Sequence, residues 1–421
     1  MSVSNNKYKQ TSIGLIPTDW EIKKLGEIVD YKKGFAFQTS QYKNEGVRII
    51  RVSDTNAEGI KRDGNVYIDS VEAKNHKEYQ LLENDIVIQT VGSRPPLYDS
   101  MVGKTILVNK EFEGSLLNQN AVRLREKNGN NYFLFSLFRR KEYFDFIETL
   151  VRGNANQVSI TLEDLFKYQI PYPKSLPEQQ KIATILSNWD AAIDNCKVII
   201  DRLQERNKGL AQQLLTGKMR VQGFEKKWKL TPLNECLNFT PREVPKPTGN
   251  YLALGLRSHG KGIFHKHDID PEDVAMDVLY EVKENDLIIN ITFAWEQAVA
   301  IVSKQDEGGL VSHRFPTYTF NADKAIPEFF RHFILQKYFK FLMELISPGG
   351  AGRNRVMSKT DFLKLEVKLP DVTEQKAIAN ILNTATAELS QYQQKLQFLQ
   401  QQKKGLMQQL LTGKIRVNYE R

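Results

Sequence analysis

EQQKIATILSNWDAAIDNCKVIIDRLQERNKGLAQQLLTGKMRV, residues 178–221, has a counterpart in EQKAIANILNTATAELSQYQQKLQFLQQQKKGLMQQLLTGKIRV, residues 374–417. The two align without a gap, with roughly 20 identities in about 44 positions, and both end on GLxQQLLTGKxRV. A match of that length marks an internal duplication. Both copies start alike: Ser175 and Glu178 have capping-box spacing, and Asp371 and Glu374 occupy the equivalent places. The first side chain is expected to accept from the third helical N–H while the Glu reaches back to the cap. Each copy then carries apolar residues in a 4,3 rhythm. In the first these are Ile182, Leu186, Trp189, Ile193, Cys196, Ile200, Leu203, Leu210 and Leu214; in the second Ile378, Leu382, Ala385, Leu389, Tyr392, Leu396, Leu399, Leu406 and Leu410. A sustained period of about 3.5 residues predicts coiled-coil packing. Each stripe covers about 33 residues, or ~50 Å of helix. Asn207 and Lys403 interrupt the stripes at the same heptad place. Polar residues in a seam set register and pairing. Gly217 and Gly413 are expected to stop the helices.

Working outward, the flanking segments also correspond. Trp20–Leu25 matches Trp228–Leu233, each opening a globular unit. Glu83–Ile88 (ENDIVI) matches Glu284–Ile289 (ENDLII), a turn followed by a buried strand. Leu162–Lys167 resembles Lys359–Lys364, just before each helix. Between these anchors the copies diverge. The expected plan is a globular unit over 1–174, a helical region over 175–217, a second globular unit over 218–370 and a second helical region over 371–421. Short β-runs at Val47–Val52, Asp85–Thr90, Thr105–Val108, Leu287–Thr292 and Ala298–Val302, with amphipathic helices near Tyr132–Thr149 and Pro327–Leu345, make each globular unit α+β. If the helices pair, a parallel arrangement would force the second unit to span ~50 Å between its attachments. Antiparallel pairing needs only short links and is expected. Two similar, diverged heads on a coiled-coil spacer make a pseudo-twofold reader of bipartite ligands. On DNA such a pair reads two half-sites, and divergent heads make the site asymmetric.

The 421 residues suit two or three domains. Lys and Arg outnumber Asp and Glu by 59 to 50, a net charge of +9, which suits a polyanionic partner such as nucleic acid. No segment approaches the ~20 apolar residues that span a bilayer. The start MSVSNNKYKQ has no apolar core, so no secretory signal is expected. Cys196 and Cys236 stand far apart, which argues against zinc and against a disulfide framework. A reducing cytoplasm is the expected compartment.

Taken together, Ile13–Trp20 (IGLIPTDW) with Lys24-Leu25-Gly26, the EQQ and EQK helix starts and the duplicated LLTGK ends resemble the DNA-specificity subunit of Type I restriction–modification enzymes, over essentially the whole chain. The resemblance implies two α/β-type target recognition domains joined by two antiparallel helices. It also implies two methyltransferase subunits docked on the helical regions, adenine methylation, and ATP-dependent motor–nuclease subunits that add restriction as a phage defence. S-adenosylmethionine, ATP and Mg would then belong to the partners, and this chain would hold no cofactor, no metal and no catalytic residue.

Motifs that suggest catalysis do not hold up. Arg94-Pro95-Pro96-Leu97 has the prolines of a methylase NPPY-type motif but neither its amide nor its aromatic residue. LLTGK lacks the first Gly and the Ser/Thr of a P-loop, with Gln212 and Gln408, then Met219 and Ile415, in their places. The E-x-K triplets Glu281–Lys283 and Glu366–Lys368 have no motif fixing an upstream acid. His265 and His267, with Asp268 and the nearby His259, lack Cys partners and HExxH spacing.

DNA readers place Arg, Lys, Asn, Ser or His of loops after strands against base edges and phosphates. In the first unit the candidates are Lys32, Lys33, Ser53, Asn56, Arg94, Asn118, Asn120, Arg152, Asn154 and Asn156. In the second they are Arg257, Ser258, His259, Thr292, His313, Arg314, Arg353, Asn354 and Arg355. Trp295 is expected in the core. Two rival readings remain at this stage: a stand-alone fused DNA methylase–nuclease, and a coiled-coil structural protein.

The spacer reading gives an expectation for target geometry. One heptad inserted after Leu203 and another after Leu399 keep the seam in phase. Each adds about 10 Å of helix, and at ~3.4 Å per base pair the gap between half-sites should lengthen by at most about 3 bp. Methylation mapping reads this directly. Unchanged spacing in an active variant contradicts the spacer reading, and changed half-site bases would put the helices into base readout.

Overall fold

The computed structural model describes residues 7–95, 99–151, 158–349 and 355–418. Its contacts form two units, Met1–Cys196 with Lys395–Arg421, and Lys197–Gln394. The division cuts both long helices, so each unit holds one head, part of one helix and part of the other. No helix among the described residues is long and apolar enough to cross a membrane.

In unit 1, β1 (Trp20–Lys24) leads into β2 (Val29–Lys33). There follow β3 (Ile86–Gln89), β4 (Thr105–Leu107), β5 (Ala121–Glu126), α1 (Asn131–Leu137), α2 (Lys141–Leu150) and β6 (Gln169–Pro173). The long helix α3 (Leu176–Leu214) begins three residues later. Strands β2-β5-β3-β4 form an antiparallel sheet, and β1 pairs with β6. Alternation along β3 explains its unbroken apolar run. Ile86 and Ile88 face the core of α1, α2 and the long helices, while Val87 faces a second core with Ile50, Leu81 and Phe112. A strand covered on both sides has no solvent face to mark with polar residues.

Unit 2 repeats the frame with β7 (Lys229–Pro232), β8 (Leu237–Phe239), β9 (Leu287–Ile289), β10 (Val299–Ile301), β11 (Thr317–Phe320), α4 (Pro327–Phe333), α5 (Lys337–Leu345), β12 (Glu366–Leu369) and α6 (Val372–Leu410). The sheet order β8-β11-β9-β10 matches unit 1 position for position, and β7 pairs with β12. What differs is the material inserted into the frame. Besides two short two-stranded pairs, the first head adds a three-stranded sheet of Val47–Ile50, Val66–Ile68 and Leu116–Leu117. The second adds five strands, including Tyr251–Leu256, Ile263–Ile269 and Val278–Glu281. The single amphipathic helix expected in each head is two helices. A turn at Phe138–Arg140, and another at Ile334–Gln336, resets the phase so that both pieces turn apolar residues inward: Phe133, Leu134 and Leu137, then Tyr143 and Ile147. In unit 2 the carbonyl freed at Ile334 accepts from Gln297 Nε2 at 2.7 Å.

Within each unit the long helices run antiparallel. In unit 1, Asp190 of α3 pairs with Lys403 of α6, while Glu178, earlier in α3, meets Arg416, later in the chain. In unit 2, Asn207 Nδ2 donates to Ala385 O at 2.8 Å, and Arg206 pairs with Glu388 at 2.8 Å. Every apolar residue of the two 4,3 stripes is buried or half-buried. At about 1.5–3 kcal/mol for each fully buried large apolar side chain, these stripes and the head cores supply the main cohesion. The two seam interruptions make different contacts: Asn207 bonds a backbone carbonyl, and Lys403 pairs with an acid that also accepts from Tyr132 Oη.

The helix starts depart from the expected capping box. Glu178 N donates to Ser175 Oγ at 3.4 Å and Glu374 N to Asp371 Oδ1 at 3.0 Å, so the first half of the motif is present. The Glu carboxylates, however, turn to the head and to the tail of the other helix. Glu178 accepts from Trp20 Nε1 at 3.3 Å and from Arg416 Nε at 2.8 Å. Glu374 accepts from Trp228 Nε1 at 3.1 Å and from Arg220 Nε at 2.7 Å. Arg416 also forks onto Asp19, with both contacts at 2.8 Å. Burial works against its charge, but the bonds it donates to Asp19 and Glu178 outweigh this and raise its pKa. The neighbouring glutamines tie the head in place. Gln179 Oε1 accepts from Asn130 N at 3.0 Å, and Gln375 Oε1 from Ile326 N at 3.1 Å. Gly413, at φ 67°, ends its helix where a Cβ would lie 2.4 Å from Pro17.

Glu178 is 1% exposed but Arg416 is 37% exposed, so losing the arginine strands a buried carboxylate that water can partly reach. Arg416→Ala should therefore destabilise the chain by about 1–2 kcal/mol in urea unfolding, less than the loss of one partner costs in a fully buried pair. Arg416→Met combined with Glu178→Gln should recover most of that loss. A double variant no more stable than the single one would show that packing, not charge, holds this joint.

Candidate nucleic-acid interface

In unit 1 backbone bonds gather the candidate loops at one rim of the head. Gly34 N donates to Ala121 O, Phe35 N to Leu117 O and Gln119 N to Phe35 O, each at 3.0 Å. Asn118 N donates to Ile50 O at 2.9 Å, and Thr90 N to Asn120 O at 3.0 Å. The crossing at Gly34 is tight: a Cβ there would lie 1.8 Å from the Asn118 carbonyl, so only glycine fits. Ala57 N donates to Asp99 Oδ1 at 3.0 Å and joins the turn after Ser53 to the segment beyond Arg94. Strand residues Val158–Ser159 pair with Val91–Gly92 at the same rim.

Around this rim Lys33, Ser53, Arg94 and Asn120 are exposed. Asn120 has a φ of 67°, a left-handed conformation that Asn tolerates. Lys32 is engaged: it pairs with Glu78 and lies 4.8 Å from the Tyr79 ring centre. That lysine holds the Glu78 carboxyl below its usual range. Asn56 closes its own turn, accepting from Glu58 N and Gly59 N at 3.0 Å. Asn118 is 7% exposed and accepts from Gln119 N at 2.8 Å, so its side chain is used inside the loop. Lys104 lies buried behind the rim, and burial pushes its pKa down to about 8. Arg152, Asn154 and Asn156 lie outside the described residues.

In unit 2 a short turn at Ala294–Glu296 organises the candidates. Ser258 Oγ donates to Glu296 Oε2 at 2.5 Å, His259 N to Glu296 O at 2.6 Å and Gly260 N to Gln297 O at 3.0 Å. This fixes the Arg257–His259 loop, in which Arg257 and His259 are exposed. On the same turn, Trp295 Nε1 donates to Thr292 O at 3.2 Å, and Arg314 Nη1 to Thr292 Oγ1 at 3.2 Å. The Arg355 guanidinium lies 5.2 Å from the Trp295 ring centre. Trp295, expected in the core, is half-buried and shares this face with two arginines. His313 is exposed, and its carbonyl accepts from Lys359 Nζ at 3.3 Å. Lys359 carries no signal in the loop pattern because it belongs to the helix Lys359–Lys364. Arg353 and Asn354 lie outside the described residues.

The arrangement presents cations, amides and hydroxyls, the donors that grip phosphates and read base edges. His265 of the histidine cluster is held by Asp306 at 2.8 Å. Among the described residues no group of three or more His, Cys, Asp or Glu could hold a metal ion.

A family model described as Type I restriction modification DNA specificity domain matches residues 17–205 and 269–400. A Methanocaldococcus jannaschii chain assigned to the type I restriction enzyme MjaX as its specificity subunit is 25% identical over 97% of this chain and 97% of its own length. The MjaVIII specificity subunit of the same organism is 24% identical over 96% of this chain and 94% of its own. Among solved structures, the S subunit of a Type I restriction–modification system from M. genitalium has the same fold, with a TM-score of 0.61 at 16% identity over 98% of each chain.

These placements separate two kinds of residue. Arg314→Ala and Arg355→Ala should each weaken binding to a target duplex by about 1–3 kcal/mol, with thermal stability unchanged. Asn118→Ala should lower the melting temperature instead. Anisotropy titration alongside melting distinguishes the cases. Unaltered binding in both arginine variants would move the interface to another face of unit 2.

Proposed function

The chain belongs to the Type I restriction–modification DNA-specificity family, and from that membership we propose that its two heads read the two halves of an asymmetric, interrupted duplex target. As a specificity subunit it is not itself an enzyme; catalysis lies in partner subunits. One observation supports the bipartite reading above others. Both heads share a four-stranded frame and the same joint to the helices, yet carry different inserted sheets and different rim residues. A common frame with unlike reading loops is what two unlike half-sites require.

The helical regions would carry the methyltransferase contact. Their sequences stay alike while the heads diverge, which suits two identical partners. In this reading S-adenosylmethionine is bound by the methyltransferase subunits, and ATP and Mg by the restriction subunits. The complex would work in the cytoplasm, on host and incoming DNA. The rival fused methylase–nuclease lacks a donor loop and an NPPY motif, and a purely structural coiled coil would have no use for two arginine-bearing rims.

Three measurements test the proposal. Duplex affinity should fall steeply with salt as counterions are released, by about 0.9 decades per decade of salt for each phosphate neutralised. Mapping methylated adenines in the host should yield a two-part motif, and Arg314→Ala should relax one half only. Equal change in both halves would contradict independent heads. Native mass measurement should find two methyltransferase subunits per chain at saturation, and a saturated complex with one would refute the docking scheme.

A further inference from the structure

Beside the candidate face of unit 2 lies an open recess of about 200 Å³. Phe239, Tyr280 and Phe315 supply aromatic walls, and Glu243, His313 and Lys359 supply polar groups. The volume lies below the ~300 Å³ at which pockets begin to hold drug-sized ligands, so it suits one small ring system. Phe239 is 47% exposed, although it sits on a core strand and is backed by Tyr318 at 5.7 Å between ring centres. The ring meets the Lys359 ammonium at 5.6 Å from its centre and otherwise leaves a face on which a flat ligand can stack.

The polar groups narrow the ligand. The Glu243 carboxylate accepts from Tyr280 Oη at 3.3 Å and, when ionised, only accepts hydrogen bonds. Lys359 Nζ lies 5.6 Å from the Phe239 ring centre and is a donor only. A flat ligand standing against Phe239 would therefore offer a donor towards one group and an acceptor towards the other. An amino-bearing nucleobase has that edge: its exocyclic amine donates, as cytosine N4 does to Glu, and a carbonyl or ring nitrogen accepts, whereas the single N–H of thymine is flanked by two carbonyl oxygens that the carboxylate would repel. Stacking on aromatic rings works for any base. The location agrees, because His313 belongs to both the recess and the rim beside Arg314 and Thr292. The first head is built differently here. Tyr31 and Lys33 stand where the second head has Phe239 and Pro241, and the Tyr31 ring packs on Phe166 at 4.9 Å.

We propose that the recess formed by Phe239, Tyr280, Phe315, Glu243 and Lys359 binds one unstacked nucleobase carrying an exocyclic amine. The base comes from the bound duplex or from a free nucleotide. The first source rests on the DNA-reading function; the second does not. The test uses the full chain. In one arm it is titrated with dCMP, dAMP and dTMP, followed by saturation-transfer NMR. In the other it binds target duplexes carrying 2-aminopurine or pyrrolocytosine at each position in turn, followed by fluorescence. The variants are Phe239→Leu, which keeps apolar bulk without a ring face, and Glu243→Gln.

The expected result is binding of dCMP or dAMP over dTMP, or brightening at one duplex position, with either signal weakened at least tenfold in both variants. Circular dichroism should stay close to wild type. Brightening with no free-nucleotide binding assigns the base to the duplex, and the reverse assigns it to a free nucleotide. Duplex binding with no variant-sensitive signal in either arm overturns the recess proposal and leaves the DNA-reading function intact. Absence of duplex binding contradicts that function, and the nucleotide arm then decides the recess alone.

Discussion

Glu178 and Glu374 are each 1% exposed at the first turn of a 39-residue helix. A carboxylate so buried is costly unless it is paired and hydrogen-bonded. In both cases the partners come from far along the chain: an indole from the start of a head and a guanidinium from just past the end of the other helix. This requirement joins three separated segments at one point. It also explains why the duplicated sequence runs beyond the helix into LLTGKxRV: the arginine is part of the joint. With the glutamine next to each Glu pinning the first helix of the head, a single turn of helix fixes head, helix start and helix end together.

Much of this was legible in the sequence. The duplication, the apolar stripes and the antiparallel pairing all depend on periodicity and chain connectivity, which a sequence carries directly. Every stripe residue is at least half-buried, and Asn207 and Lys403 interrupt the seam with polar contacts to the facing helix. The role of Glu178 and Glu374 was not legible. Capping-box spacing is local, whereas the residues that draw these carboxylates away, Trp20, Arg416, Trp228 and Arg220, are brought near only by the tertiary fold. The break in each head helix was hidden for a related reason: two short helices re-phased by a turn still sum to one long amphipathic stretch.

The candidate site was legible in outline, as loops following strands. Which side chains stay available depends on the turns those loops make. Asn118, Asn56 and Lys32 are polar loop residues engaged within their own head, while Lys33, Arg94, Asn120, Arg257 and Arg314 remain exposed. Trp295 shows the opposite error, since an indole bonded to Thr292 O and covered by Arg355 can stay half-buried on a polar face. The recess of the second head escapes a sequence reading because Phe239, Tyr280 and Phe315 lie on three different strands or loops.

The central claim is that two like-framed heads act as separate readers, each carrying its own half of the specificity. The most direct measurement is methylation mapping of a chain in which the second head, residues 218–370, is replaced by a copy of the first, residues 1–174, with both helical regions retained. The account predicts that the mapped target will consist of the first half-site twice, with the original second half-site gone. Persistence of the second half-site in that variant would contradict it, because the bases would then be read outside the head to which they have been assigned.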